Sequence, residues 1–130
     1  MQYDPNKYNW SDYTILIVED DISSTFFLKE VLRDTRVNIL HASNGQEAVN
    51  YCKSNTSIHL VLMDIKMPVM NGFDATRAIK LICPDLPVIA QTANAIYDSR
   101  ILCREAGCNA FISKPIDSEE LLDMISGFLK

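Results

Sequence analysis

Short runs of apolar residues alternate along the chain with longer stretches whose apolar positions recur at helical spacing. Thr14–Val18 (TILIV) is continuous and rich in β-branched residues, the pattern of a strand covered on both faces. From Ile22 to Arg33 the residues Ile22, Phe26, Phe27, Val31 and Leu32 approximate one helical stripe, with Asp21 or Ser23 placed to cap its start. Val37–His41 reads as a second strand, and SNGQEAVNYC as a helix whose apolar face is Ala48, Val49 and Cys52. His59–Asp64 (HLVLMD) is a third buried strand, ending in an acid. FDATRAIKLI follows as a helix with Phe73, Thr76, Ile79 and Lys80 at helical spacing. Pro84 and Pro87 bracket the turn into a fourth strand, VIAQT. Ile96–Ala106 reads as a helix closed by Gly107, NAFIS as a fifth strand, and Ser118–Leu129 as a last helix burying Leu121, Leu122, Ile125, Phe128 and Leu129. Alternating strands and helices predict an α/β fold: a doubly wound, five-stranded parallel sheet with right-handed crossovers.

Composition narrows the picture without redirecting it. A chain of 130 residues fits one domain, and 48% apolar with 22% charged residues is ordinary for a globular protein. No stretch approaches the roughly 18 apolar residues of a membrane span, so no membrane contact is expected of this domain. The opening MQYDPNKYNWSDY has neither a basic nor an apolar signal region, and residues 1–13 read as a polar tail or linker ahead of a domain over 14–130. A cytoplasmic location follows. The four cysteines Cys52, Cys83, Cys103 and Cys108 form no CxxC pair and read as reduced thiols. A net charge of −5 gives no footprint for nucleic acid.

The chemistry sits where strands end. Glu19, Asp20 and Asp21 follow the first strand directly, and Asp64 closes the third. Open α/β sheets bind ligands beyond the carboxyl ends of their strands, where strand order reverses. Carboxylates gathered there repel one another unless something positive joins them. Two or three of them converging from loops suit a hard divalent cation, Mg²⁺ before Mn²⁺, because Mg²⁺ takes few carboxylates, keeps waters and bridges to phosphate. Thr92 closes the fourth strand, and Lys114 follows the fifth, bringing a hydroxyl and an ammonium to the same edge. Together these make an apparatus for phosphoryl transfer to a carboxylate. Asp64 is the expected nucleophile, Asp20 a direct metal ligand, Glu19 a ligand through water, Thr92 a hydrogen-bond donor and Lys114 the charge on the phosphoryl group. Asp21 reads as a helix cap rather than a ligand. His41 and His59, with no acid or cysteine at ligand spacing, read as incidental.

At this point the chain resembles the receiver domains of two-component response regulators. The likeness runs from Thr14 to Leu129: ILIVEDD is similar to their acidic-pair motif, LVLMDIKMPVMNG to the phosphoacceptor motif, VIAQTANA to the switch-threonine motif and FISKPI to the lysine-proline motif. The resemblance implies the flavodoxin-like strand order 2-1-3-4-5. It implies that the backbone carbonyl of Lys66 joins the metal ligands and that Thr92 and Phe111 move together on phosphorylation. It also implies that Lys114-Pro115 is cis, and that Lys66 and Asn94 border the path of attacking water and tune the lifetime of the phosphoryl group. Phe111 has a second reading as plain core, behind the switch role. The function implied is a signalling phosphoacceptor, not an enzyme, served by a histidine kinase domain of the same or another polypeptide and passing its phosphoryl group to a histidine phosphotransfer protein. VIAQTANA and SKPI look most like receivers of hybrid histidine kinases. The alternative is a pseudo-receiver that only binds proteins. A flavodoxin-like redox carrier would need a hydroxyl- and glycine-rich loop where this chain has acids, and a dehalogenase-type phosphatase would need its DxD motif after the first strand.

Overall fold

The computed structural model describes residues 7–54, 57–67, 69–93 and 97–129, with the backbone alone at 97–99. Five strands, β1 (Thr14–Val18), β2 (Asn38–Ala42), β3 (Leu60–Asp64), β4 (Val88–Thr92) and β5 (Ala110–Ser113), form one parallel sheet in the order β2-β1-β3-β4-β5. Helices α1 (Ile22–Leu32), α2 (Gly45–Ser54), α3 (Gly72–Ile82), α4 (Tyr97–Ala106) and α5 (Ser118–Phe128) connect and follow them. Alternate residues of β1 serve opposite faces, as the two-residue period of a strand demands. Ile15 and Ile17 join Leu28, Leu32, Leu121 and Ile125 beneath α1 and α5, whereas Leu16 and Val18 join Ala48, Val49 and Ile79 beneath α2 and α3. The central strands are apolar on both sides because both sides are covered.

Helix α1 is phased differently from the expected stripe. Its buried residues are Thr25, Leu28 and Leu32, while Ile22, Phe26 and Phe27 are 86%, 64% and 40% exposed. Apolar residues lie on every side of this helix, so its own pattern does not fix a phase. The phase is set at its start, where Asp21 accepts from the Ser24 amide at 2.8 Å and the Thr25 hydroxyl donates to the Asp21 carbonyl at 2.9 Å. Strand β2 begins one residue late because Asn38 pairs with Thr14 and its amide donates to the Ser11 and Tyr13 carbonyls.

The lead-in read as a polar tail is fastened to the domain over Tyr8–Tyr13. Trp10 is 4% exposed within the core under α1 and α5, and its backbone N–H donates to the Thr35 carbonyl at 2.7 Å. Tyr8 stacks on the indole at 4.9 Å and donates its hydroxyl to Asp123 of α5. An aromatic among polar neighbours shows no period, which is why sequence pattern missed this contribution.

All four cysteines are free thiols. Two of them close α4: Cys108 N–H donates to the Cys103 carbonyl and Gly107 N–H to the Arg104 carbonyl, with Gly107 at φ +103°. That pair of bonds is the Schellman arrangement, and the Cys103–Cys108 thiol contact is its usual apolar companion. Among the described residues, no helix is long and apolar enough to cross a membrane.

Candidate functional site

Strand register brings the acids together before any side chain is considered. Val18 pairs with Met63, so Glu19 and Asp64 are the next residues off two adjacent strands. Asp64 pairs with Gln91 and Thr92 with Ser113, which puts Thr92 and Lys114 at the same edge. The Lys114 N–H donates to the Thr92 carbonyl at 2.8 Å, and the Lys114-Pro115 bond is cis. On the other flank, Gly72 N–H donates to the Ile65 carbonyl at 2.9 Å. A Cβ on Gly72 would stand 2.4 Å from the Asp64 carbonyl oxygen, so this close return of the chain behind Asp64 requires glycine.

Carboxylate oxygens of Glu19, Asp20 and Asp64 all lie within 4.8 Å of one another. Lys114 Nζ sits 3.3 Å from Glu19 Oε1 and 3.4 Å from Asp64 Oδ1, bridging two of the three. Glu19 and Asp64 are buried and Asp20 is exposed. Burial pushes the Glu19 carboxyl up to about 7, helped by the Asp64 carboxylate and opposed by Lys114. Burial works to lower the Lys114 ammonium, but the charges of Asp64 and Glu19 outweigh it and hold its pKa raised. One ammonium thus leaves the cluster with excess negative charge, and an oxygen-only donor set in that state fits a hard divalent cation. The cavity above it, about 660 Å³, is lined by Lys66, Met67, Phe73 and Thr92 as well as the acids.

Asp21 faces the same cavity but spends its carboxylate on the α1 cap, as expected. The Lys66 N–H points at Asp64 Oδ1 at 3.4 Å, and its side chain is exposed. Phe111 is half-buried beside α4, with the Arg100 guanidinium 5.1 Å from its ring centre. Asn94 lies outside the described residues. Both histidines make structural hydrogen bonds and, among the described residues, neither joins the acidic cluster. His41 Nε2 lies 2.9 Å from the Glu19 carbonyl and 3.5 Å from the Thr25 hydroxyl, tying β2 and α1 to the acidic loop. His59 Nδ1 accepts from the Thr14 N–H at 3.0 Å, at the opposite end of the sheet. The bracing bonds themselves were not legible, because a histidine that braces backbone leaves no spacing signature.

The fold and this edge define a signalling receiver, and similarity to known proteins agrees. Residues 15–126 match the response regulator receiver domain, and the chain belongs to that family. It is 38% identical over 117 residues to hybrid signal transduction histidine kinase M of Dictyostelium discoideum, covering 85% of this chain and 5% of that protein. The first curated relatives are matched over 5% to 53% of their own length. Among solved structures, the receiver domain of sensor histidine kinase PA1611 from Pseudomonas aeruginosa, with magnesium in its active-site cleft, is 30% identical with a TM-score of 0.83, over 90% of this chain and 97% of that one. The receiver of Ssk1, from its complex with the Saccharomyces cerevisiae histidine phosphotransfer protein Ypd1, is 28% identical with a TM-score of 0.85, over 91% and 89%.

Proposed function

We propose that this receiver accepts a phosphoryl group from a phosphohistidine onto Asp64, in a Mg²⁺-dependent reaction, and changes a protein-binding surface in response. The observation that carries this reading is the packing of three carboxylates within 4.8 Å with Lys114 set between two of them. Asp20 and Asp64, the Lys66 carbonyl and, through water, Glu19 would hold the cation. Bound there, Mg²⁺ (or Mn²⁺) neutralises the oxygens of the transferring group. An Asp64 carboxylate oxygen attacks phosphorus in line, the P–N bond to the donor imidazole breaks, and its electron pair leaves with the ring nitrogen. Lys114 then pairs with one phosphoryl oxygen and Thr92 donates its hydroxyl to another. Movement of Thr92 frees space for Phe111, which makes the α4–β5 face the responding surface. Lys66 and Asn94 border the path of the water that later hydrolyses the acyl phosphate.

The donor is a histidine kinase domain, of the same polypeptide or another, and a histidine phosphotransfer protein is the onward acceptor. The domain acts in the cytoplasm as a signalling phosphoacceptor that assists its own phosphorylation and dephosphorylation. Ile22, Phe26 and Phe27 support a protein donor, since they form an exposed apolar strip on the helix that starts beside the acids. A histidine reaching Asp64 brings its domain over that strip. The test is transfer from a phosphorylated histidine domain and, separately, from acetyl phosphate. Phe26→Ser should slow the first at least tenfold, about 1.4 kcal/mol, and leave the second unchanged. Equal effects on both donors, or no Mg²⁺ requirement in either, would contradict the proposal.

A further inference from the structure

Strand β2 sends one side chain toward the acidic loop. Ile39 packs against the core beneath α1 and α5, and His41, two residues on, shares that face of the sheet. From there its Nε2 lies 2.9 Å from the Glu19 carbonyl oxygen and 3.5 Å from the Thr25 hydroxyl of α1. A carbonyl only accepts, and the Thr25 hydroxyl gives its own proton to the Asp21 carbonyl at 2.9 Å. The ring nitrogen that faces both therefore carries hydrogen. The bond it makes falls on the peptide unit that leads into Asp20. The Glu19 carbonyl and the Asp20 N–H are two ends of one planar group. Its carbonyl end accepts from His41, and its N–H end donates to Glu19 Oε2 at 3.2 Å. The Glu19 N–H, on the preceding unit, donates to the Ala42 carbonyl at 3.0 Å.

We infer that His41 is a positioning residue for the cation: its Nε2–H fixes the Glu19–Asp20 peptide plane and thereby aims the Asp20 carboxylate. The inference rests on the reading of the three acids as a Mg²⁺ site. Tilting that plane turns the Asp20 carboxylate relative to Glu19 and Asp64, whose oxygens it meets within 4.8 Å. Mg²⁺ tolerates little such movement, because it demands near-octahedral donors at short, fixed range. Removing a hydrogen bond that orients a metal's ligands costs roughly tenfold to a hundredfold in affinity. A ring at position 41 without the donor fills the same space and loses the aim. An amide of similar reach keeps the donor.

The test uses the whole chain as wild type, His41→Phe and His41→Gln. In EDTA, long-range nitrogen–proton correlation NMR of the wild type should place a ring proton on His41 Nε2. Mg²⁺ is then titrated and followed through backbone amide shifts. His41→Phe should bind Mg²⁺ at least about tenfold more weakly, and His41→Gln should stay within about threefold of wild type. With acetyl phosphate as donor, the Mg²⁺ concentration giving half-maximal adduct formation should rise by the same factor in His41→Phe, while the rate at saturating Mg²⁺ stays within about twofold. Loss of folded protein would lower the saturated rate and leave the half-maximal point in place. A proton on Nδ1 alone, wild-type Mg²⁺ affinity in His41→Phe, or equal weakening in both variants would overturn the positioning role and leave the phosphoacceptor reading standing. Wild type that takes up no Mg²⁺ would overturn both.

Discussion

Asp20→Asn should make the metal-free protein more stable and the metal-bound protein less so. Asp20 faces Glu19 and Asp64 with oxygens within 4.8 Å, and Lys114 bridges those two rather than Asp20. The substitution therefore removes two repulsions and no ion pair. Unit charges 4.8 Å apart repel by about 3.5 kcal/mol at an effective dielectric near 20, and by just under about 1 kcal/mol in bulk water. Asp20 is exposed and Glu19 is only partly ionised near neutrality, so the solvent-screened end applies, and the gain should be about 1–2 kcal/mol. For a domain of this size that is a rise in Tm of about 3–8 °C. The assay is thermal and urea unfolding in EDTA and in saturating Mg²⁺. Wild type should gain stability with Mg²⁺ by mass action, roughly 2.7 kcal/mol at a hundredfold excess over Kd, while Asp20→Asn gains little and falls below it. A variant less stable than wild type in EDTA would refute the repulsion, and an equal Mg²⁺ response would refute Asp20 as a ligand.

Three further outcomes are expected. Because the Glu19 carboxyl lies at about 7 in the folded protein against 4.5 ordinarily, the fold holds a proton that the unfolded chain has released between those values. Metal-free stability should therefore fall as pH rises across that window, by at most roughly 3 kcal/mol, and urea midpoints at about pH 5 and about pH 8 should show the slope flattened in Glu19→Gln. Trp10→Ala should cost about 3–5 kcal/mol in urea unfolding, as expected for emptying a buried indole site, whereas a free tail would show no change. Lys66→Ala should shorten the lifetime of the aspartyl phosphate, measured as decay of the adduct after the donor is removed, and an unchanged lifetime would exclude a protective role for that side chain.

The strand ends were legible in sequence because a buried parallel strand announces itself as a continuous apolar run, and the residue that breaks the run is the one at the sheet's edge. Glu19, Asp64, Thr92 and Lys114 were all found that way, and register then set them face to face. The phase of α1 was not legible, since Ile22, Phe26 and Phe27 mimic an inward stripe that Leu28 and Leu32 occupy in fact. Trp10 and His41 share a different reason. Each acts through a partner far away in sequence: Trp10 through Thr35 and His41 through Glu19. Such roles exist only once tertiary structure does.

The central claim is that Asp64 is phosphorylated with the help of a bound cation. Intact-mass spectrometry after incubation with acetyl phosphate, with and without Mg²⁺, on wild type and Asp64→Asn, tests it most directly. The account predicts one added phosphoryl mass in wild type with Mg²⁺ and none in the other three samples. An adduct that persists in Asp64→Asn or without Mg²⁺, or no adduct alongside failure to bind beryllofluoride, would contradict it.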